Sequence, residues 1–283
     1  MKIGAHVSAG GGLSKAIENA KKIGAECIQI FGASPRQWQA ELPSDEETKK
    51  FKKLRKESGI GPVFLHSAYL VNLASPNSFI RKNSVENLGK HLLIAEKIGA
   101  EGLIFHVGSG KEAPREQAVS FIVSGMKEVL KKVPGKTQLI LENDAGGGGK
   151  VGGIKEMGEI VKKVGSVRVK VCYDTAHGLE AGLVDKYTPE KVKKLFNEWD
   201  KAVGIENIAV IHANDSKTLA GSHHDRHENI GEGEIGVEGF CALVAEKRLK
   251  DLPWILEVPG FRGEGSDKEN IEILRGIAKR VKS

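Results

Sequence analysis

Short apolar runs rich in Val, Ile, Leu and Phe recur along the chain, and most stop on a side chain that can bind a metal. The run 63–65 stops at His66, 102–105 at His106, 138–141 at Glu142 and 167–173 at Asp174. The run 208–211 stops at His212 and 254–256 at Glu257, while two earlier runs end near His6 and Phe31. Their length and β-branched content predict eight strands. Amphipathic segments lie between them. Leu13, Ala16, Ile17, Ala20 and Ile23 make one apolar stripe at helical spacing, and Leu88, Leu92, Ala95 and Ile98 make another. Both segments end on the same sequence, Lys-Ile-Gly-Ala-Glu (22–26 and 97–101), so a glycine caps the helix and a strand follows at once. Further helices are predicted over 44–58, 115–132, 154–164, 189–203, 237–247 and 268–281.

Eight strands alternating with eight helices predict an α/β fold, a single (β/α)8 TIM barrel spanning residues 1–283 as one domain. A doubly wound open sheet would carry a glycine phosphate fingerprint after its first strand. Gly10, Gly11 and Gly12 do not match G-x-G-x-x-G, and the glycines at 146–149 lack the Ser or Thr that follows the P-loop lysine. Both stretches read as flexible loops after strands.

Composition narrows the setting. Three separated cysteines (Cys27, Cys172, Cys241) form no C-x-x-C pair and sit in apolar surroundings, so buried thiols in a reducing cytosol are expected rather than zinc ligands. No apolar run is long enough to cross a bilayer and the first residues lack a signal-peptide core, so a soluble cytoplasmic protein without membrane partners is expected. The net charge of +6 and pI of about 9.0 permit a polyanionic partner without establishing one, because much of the lysine lies in helical runs that read as solvated faces.

In a TIM barrel the carboxyl ends of all strands meet around one mouth. Two local motifs add to the strand-end residues: Asp174-Thr175-Ala176-His177, and Asp225-Arg226-His227 in a loop. The set is then five imidazoles (His66, His106, His177, His212, His227) and four carboxylates (Glu142, Asp174, Asp225, Glu257). Each such side chain alone is more often a satisfied structural residue; their convergence at one mouth points to a metal centre. Zinc takes three or four such ligands per ion, so nine suffice for two ions, or for three with shared carboxylates. The absence of thiolates suits a hydrolytic site of zinc or manganese type. No H-E-x-x-H occurs, which argues against a helix-borne metalloprotease site. Glu142 and Glu257 can each bridge ions or orient a nucleophile, and the pattern leaves both roles open.

The motifs His66-Ser67-Ala68-Tyr69-Leu70-Val71-Asn72, Leu141-Glu142-Asn143, Asp174-Thr175-Ala176-His177, His212-Ala213-Asn214-Asp215-Ser216-Lys217, Asp225-Arg226-His227 and Gly231-Glu232-Gly233-Glu234-Ile235-Gly236 follow one another in order. With the opening Ile3-Gly4-Ala5-His6-Val7-Ser8, the chain resembles the endonuclease IV family of apurinic/apyrimidinic (AP) endonucleases from end to end. The resemblance implies three zinc ions, with manganese as a substitute. His66, His106 and Glu142 would hold the first, Glu142, Asp174, His212 and Glu257 the second, and His177, Asp225 and His227 the third. Glu142 would bridge two ions, and Glu257 would orient the nucleophile.

It further implies cleavage of duplex DNA on the 5′ side of an abasic site, leaving a 3′-hydroxyl and a 5′-deoxyribose phosphate, and trimming of blocked 3′ ends. Arg36 and Gln37, after the second strand, and Tyr69 and Leu70, after the third, would contact DNA, since apolar or flat side chains on such loops can wedge into a base stack. Trp38 reads as ordinary loop packing. A monomer is expected, associated with the nucleoid when it acts on DNA. The runner-up is a metal-dependent sugar isomerase or epimerase on the same barrel, which also places His, Asp and Glu at strand ends. The glycine-rich 146–149 loop with Asp144, and His223 and His224 beside the third motif, depart from the pattern; the two histidines are expected to be solvated.

Overall fold

The computed structural model describes residues 1–282. Its strands are β1 (Lys2–His6), β2 (Ile28–Phe31), β3 (Val63–His66), β4 (Gly102–His106), β5 (Gln138–Glu142), β6 (Val169–Asp174), β7 (Ile208–His212), β8 (Asp215–Ser216), β9 (His227–Glu228) and β10 (Pro253–Leu256). Eight of them close a parallel barrel in the order β1-β10-β7-β6-β5-β4-β3-β2, and β8 and β9 form a short antiparallel ladder outside it. The helices are α1 (Leu13–Ile23), α2 (Asp45–Ser58), α3 (Ser78–Ile98), α4 (Arg115–Lys132), α5 (Ile154–Val164), α6 (Thr175–Glu180), α7 (Pro189–Val203), α8 (Gly236–Ala245) and α9 (Lys268–Lys282). None is long and apolar enough to cross a membrane among the described residues.

The repeated Lys-Ile-Gly-Ala-Glu sequence acts as the pattern predicts. Gly24 and Gly99 both take left-handed backbone (φ 73°), and the next residue bonds back into the helix, Ala25 N to Ala20 O and Ala100 N to Ala95 O, each at 2.9 Å. Side chains cap other helices: Ser44 accepts from Glu47 N, Asn77 from Phe79 N, and Thr188 from Lys191 N ahead of Pro189.

Three expectations need adjusting. β6 starts at Val169, because Val167 is 90% exposed in the turn before it. α3 starts a full ten residues before its apolar stripe, at the Asn77 cap. A ninth helix, α6, follows β6 directly.

Two cores fill the molecule. The larger lies between the outer barrel wall and the helices. The smaller plugs the barrel interior with Cys27, Phe64, Ile104, Ile140, Cys172, Val210 and Ile255. Side chains alternate along a strand, so the residues two positions on face the same interior. Those residues are Gln29, His66, His106, Glu142, Asp174, His212 and Glu257. The apolar plug is therefore the floor of a polar layer at the carboxyl ends of the strands.

Candidate metal centre

All nine strand-end and loop residues singled out from the sequence converge in this layer. Glu142 is its hub: its Oε2 lies 3.2 Å from His66 Nε2 and 3.5 Å from His106 Nε2, and its Oε1 lies 2.8 Å from His212 Nδ1. His212 Nδ1 also faces Glu257 Oε2 at 3.1 Å and Asp174 Oδ2 at 3.8 Å. His177 Nε2 is 3.4 Å from Asp225 Oδ2, and His227 Nε2 is 3.6 Å from Asp225 Oδ1 and 3.7 Å from Asp174 Oδ2. Glu142, Asp174 and His212 are fully buried, whereas the Asp225 side chain, at 46% exposed, stands on the rim.

The Asp174-Thr175-Ala176-His177 spacing has a local cause. Asp174 is the N-cap of α6: its Oδ1 accepts the His177 N–H (2.9 Å), which brings the imidazole back beside its own carboxylate. Asn214 Nδ2 donates to the other oxygen, Oδ2 (2.7 Å), and Asn214 Oδ1 accepts the Glu257 N–H (2.7 Å).

Each imidazole turns one nitrogen to the carboxylates, and in four of the five the other nitrogen has a hydrogen-bond partner of its own. The outer N–H of His66 donates to Ser67 O (3.0 Å), that of His177 to Asn143 O (2.9 Å), and that of His227 to Glu257 O (3.3 Å). His212 uses Nε2 for this, donating to Gln29 Oε1 at 2.8 Å. His106 is the exception: its Nδ1 is buried without a hydrogen-bond partner, and Asp144 Oδ2, 3.6 Å away, is paired with Lys150 at 2.7 Å. Such outer bonds fix the tautomer of a metal-binding ring and leave the inner lone pair free for a cation.

Two tests of fit concern charge and unsatisfied atoms. Four carboxylates share a largely buried space, and among the described residues their ion-pair partners are imidazoles, with no Lys or Arg. Buried carboxylates require compensating positive charge. Without it the rings are driven to take protons: burial pushes His177 and His212 down, but facing groups (Asp174 and Asp225 for His177, Cys172 and Glu257 for His212) outweigh it and hold both well above the ordinary range. Burial likewise opposes ionisation of Glu142, and His106 and His212 reverse it, holding the carboxyl well below its usual value. In addition, the inner Nε2 atoms of His177 and His227 are buried without a hydrogen-bond partner. Three groups of N and O donors lie within 4.8 Å: His66, His106, Glu142; Glu142, Asp174, His212, Glu257; and Asp174, His177, His227. Asp225 groups with His177 and Glu180 rather than with the expected pair His177 and His227, and Cys172 adds a thiol beside Glu142 and His212. These features fit divalent cations of zinc or manganese type.

Cys172 lies near Glu142 and His212, but it belongs to the apolar floor, and burial pushes its thiol up to about 12. Cys27 is buried like it, whereas Cys241, expected to be buried, is only partly covered.

A cleft of about 350 Å³ opens over the layer between Tyr69, His106, His227 and Glu257. Tyr69 (67% exposed) lines it, with Leu70 exposed beside it in the loop after β3, and Arg36 and Gln37 are exposed in the loop after β2. The two loops are joined by Tyr69 N–H to Pro35 O at 3.0 Å, and Phe31 packs edge-on to Tyr69 with ring centres 5.4 Å apart.

The 146–149 stretch, read as a flexible loop, is instead tied down. All four glycines have positive φ, and a Cβ on Gly149 would lie 2.6 Å from Lys111 O. That close approach lets Gly149 O accept from Gly110 N and from Arg115, while Gly148 O accepts from Ser109 Oγ. His223 and His224 are exposed, and His223 Nδ1 bonds Ala145 O at 3.1 Å.

Residues given no site role in the sequence reading also enter the site. Gln29 is fully buried and donates from Nε2 to Glu257 Oε1 (2.5 Å), while His6 Nδ1 lies 3.3 Å from the same oxygen. Asn143, Asn214 and Glu180 are likewise fully buried. For Gln29 the available signal was a polar residue within the apolar run Ile28-Gln29-Ile30.

Known proteins place this geometry. A family described as the xylose isomerase-like TIM barrel matches residues 17–277. A curated relative from Halothermothrix orenii, "Probable endonuclease 4", is 39% identical over 277 residues, covering 97% of this chain and 99% of that protein. The crystal structure of endonuclease IV from Thermus thermophilus superimposes with a TM-score of 0.87 at 34% identity, covering 99% of this chain and 100% of that one. A D-tagatose 3-epimerase-like protein shares the barrel at a TM-score of 0.72 over 100% of this chain and 98% of its own, but at 19% identity that likeness shows a common fold alone. A barrel whose mouth gathers these motifs, matched over its length by such relatives, belongs to the endonuclease IV family of xylose isomerase-like TIM barrels.

Proposed function

We propose that the protein is a zinc-dependent AP endonuclease. It hydrolyses the phosphodiester 5′ to an abasic site in duplex DNA, leaving a 3′-hydroxyl and a 5′-deoxyribose phosphate, and removes blocking groups from 3′ ends. The observation that carries this reading is the layer of inward-facing imidazoles and carboxylates, four of the five rings oriented from behind, in a chain of this family.

His66, His106 and Glu142 would hold one ion, Glu142, Asp174, His212 and Glu257 a second, and His177, Asp225 and His227 a third, with manganese as a possible replacement for zinc. When bound, such ions activate water near neutral pH and neutralise charge on the attacking and leaving oxygens of a phosphoryl group. The protein's part is positioning. Glu142 spans the first two ligand groups, and Glu257, held by Gln29 Nε2 and by the Asn214 bond to its own backbone, would orient the nucleophile. Tyr69 lines the cleft and, with Leu70 beside it and Arg36 and Gln37 on the loop after β2, would occupy the base stack around the missing base. The enzyme acts as a cytoplasmic monomer on duplex DNA.

The test is incision of a duplex carrying one tetrahydrofuran abasic analogue. Cleavage 5′ to the analogue, a 3′ end that a polymerase extends, loss of activity on chelation and its return with zinc are expected. A folded, zinc-loaded protein that leaves the duplex intact contradicts the proposal.

A further inference from the structure

Glu180 is the last residue of α6, three positions after His177, and it is fully buried. A buried carboxylate needs a reason, because it must be compensated by hydrogen bonds or charge. Its partners lie on one segment. Glu180 Oε1 accepts from Ser216 Oγ at 2.7 Å and from the Arg226 N–H at 3.1 Å. Ser216 and Arg226 bracket the loop 217–225, and Arg226 is the middle residue of Asp225-Arg226-His227. The end of α6 holds the same loop by its backbone: Leu179 O accepts from Gly221 N and Glu180 O from His223 N, both at 3.0 Å.

This loop is otherwise exposed at most positions, and Asp225 reaches the site from the rim. Nothing in the sequence of the loop itself obliges Asp225 and His227 to face His177. The β8–β9 ladder sets His227 opposite Ser216, and the bond from Arg226 N–H to Glu180 ties the Asp225–Arg226 peptide to the helix that carries His177. Glu180, His177 and Asp225 offer donor atoms within 4.8 Å of one another.

We infer that Glu180 is the positioning residue that assembles the third cation site, by clamping the loop that supplies Asp225 and His227 to the helix that supplies His177. The inference rests on the metal-site reading above. It makes the third site separable from the other two, whose donors come from strand ends.

The test is zinc retention. Zinc-loaded wild type, Glu180→Ala and Glu180→Gln are titrated with a chelator, with ions per chain counted and the unfolding midpoint of each metal-free protein recorded. Glu180→Ala is expected to weaken one of three ions by about 10- to 100-fold, the usual effect of removing a group that orients a ligand. The other two ions should be unaffected. Glu180→Gln keeps the accepting oxygen and should hold the ion within about threefold of wild type, a rescue scaled against that same loss. Three ions held equally tightly in wild type and Glu180→Ala would overturn the inference alone. Equal loss in Ala and Gln variants would also overturn it, since Glu180 would then be a ligand itself. Wild type that binds no zinc would overturn the metal-site reading with it. Should Glu180→Ala not fold, Ser216→Ala removes one clamp donor: a smaller selective weakening supports the clamp, and no change overturns it.

Discussion

Ile140 and Glu142 lie on one strand, face the same barrel interior and are two residues apart. The same holds for Phe64 and His66, Ile104 and His106, Cys172 and Asp174, and Val210 and His212, and Glu257 follows Ile255 in the same way just past the end of β10. The lower member of each pair needs only the right volume, and its stabilisation comes from apolar burial and close packing. The upper member carries charge or a ring nitrogen, and its burial is tolerable only through partners. A displacement of two residues, about 7 Å along a strand, thus separates the part that holds the barrel together from the part proposed to hold the cations. That separation explains how one barrel serves unrelated reactions: the floor can be kept while the layer above changes.

The division between floor and upper layer is most exposed to challenge at Glu142. Glu142→Gln removes the carboxylate that faces His66, His106 and His212. Incision should fall about a thousandfold or more, the scale set by several kcal/mol of lost metal-based stabilisation, and metal content should drop with it. Two residues below on the same strand, Ile140→Ala should do the converse. Unfolding should become easier by about 2–5 kcal/mol, visible as a lower denaturation midpoint, while the ions remain in stoichiometric amount. If Ile140→Ala loses metal as readily as Glu142→Gln, the two layers are not separable.

Further from both layers, Tyr69→Ala should weaken binding to an abasic duplex by about 1–3 kcal/mol without changing ion count, with stability within about 0.5 kcal/mol of wild type. Equal affinity in a filter or anisotropy assay would remove Tyr69 from the DNA-contacting set. The smallest effect concerns the floor itself. Burial pushes the Cys27 and Cys172 thiols to about 12, so an alkylating reagent at a pH of about 8 should label Cys241 alone in the folded protein. Rapid labelling of Cys172 would mean that the floor opens to solvent.

The sequence made the strand ends legible because an apolar run that stops on His, Glu or Asp marks both a strand and its exit. Helices with a clear apolar stripe and a stop signal, such as α4, α5 and α7, were bounded to the residue. α6 escaped because six residues are too few to show a period, and its start is marked by Asp174, which reads as a ligand before it reads as a cap. Gln29 and Glu180 escaped for a related reason: each is polar within an apolar or helical stretch, and only the closed barrel reveals what it faces. The stiffness of the 146–149 loop was hidden because its bonds run to the 108–115 segment, far away in sequence.

Every role assigned to the upper layer depends on its being a cation site. The most direct test is elemental analysis of the folded protein after equilibration with zinc and removal of the free metal. Three zinc ions per chain are predicted for wild type, with fewer in Glu142→Gln and an unchanged number in Ile140→Ala. A folded wild type that retains no divalent metal would contradict it.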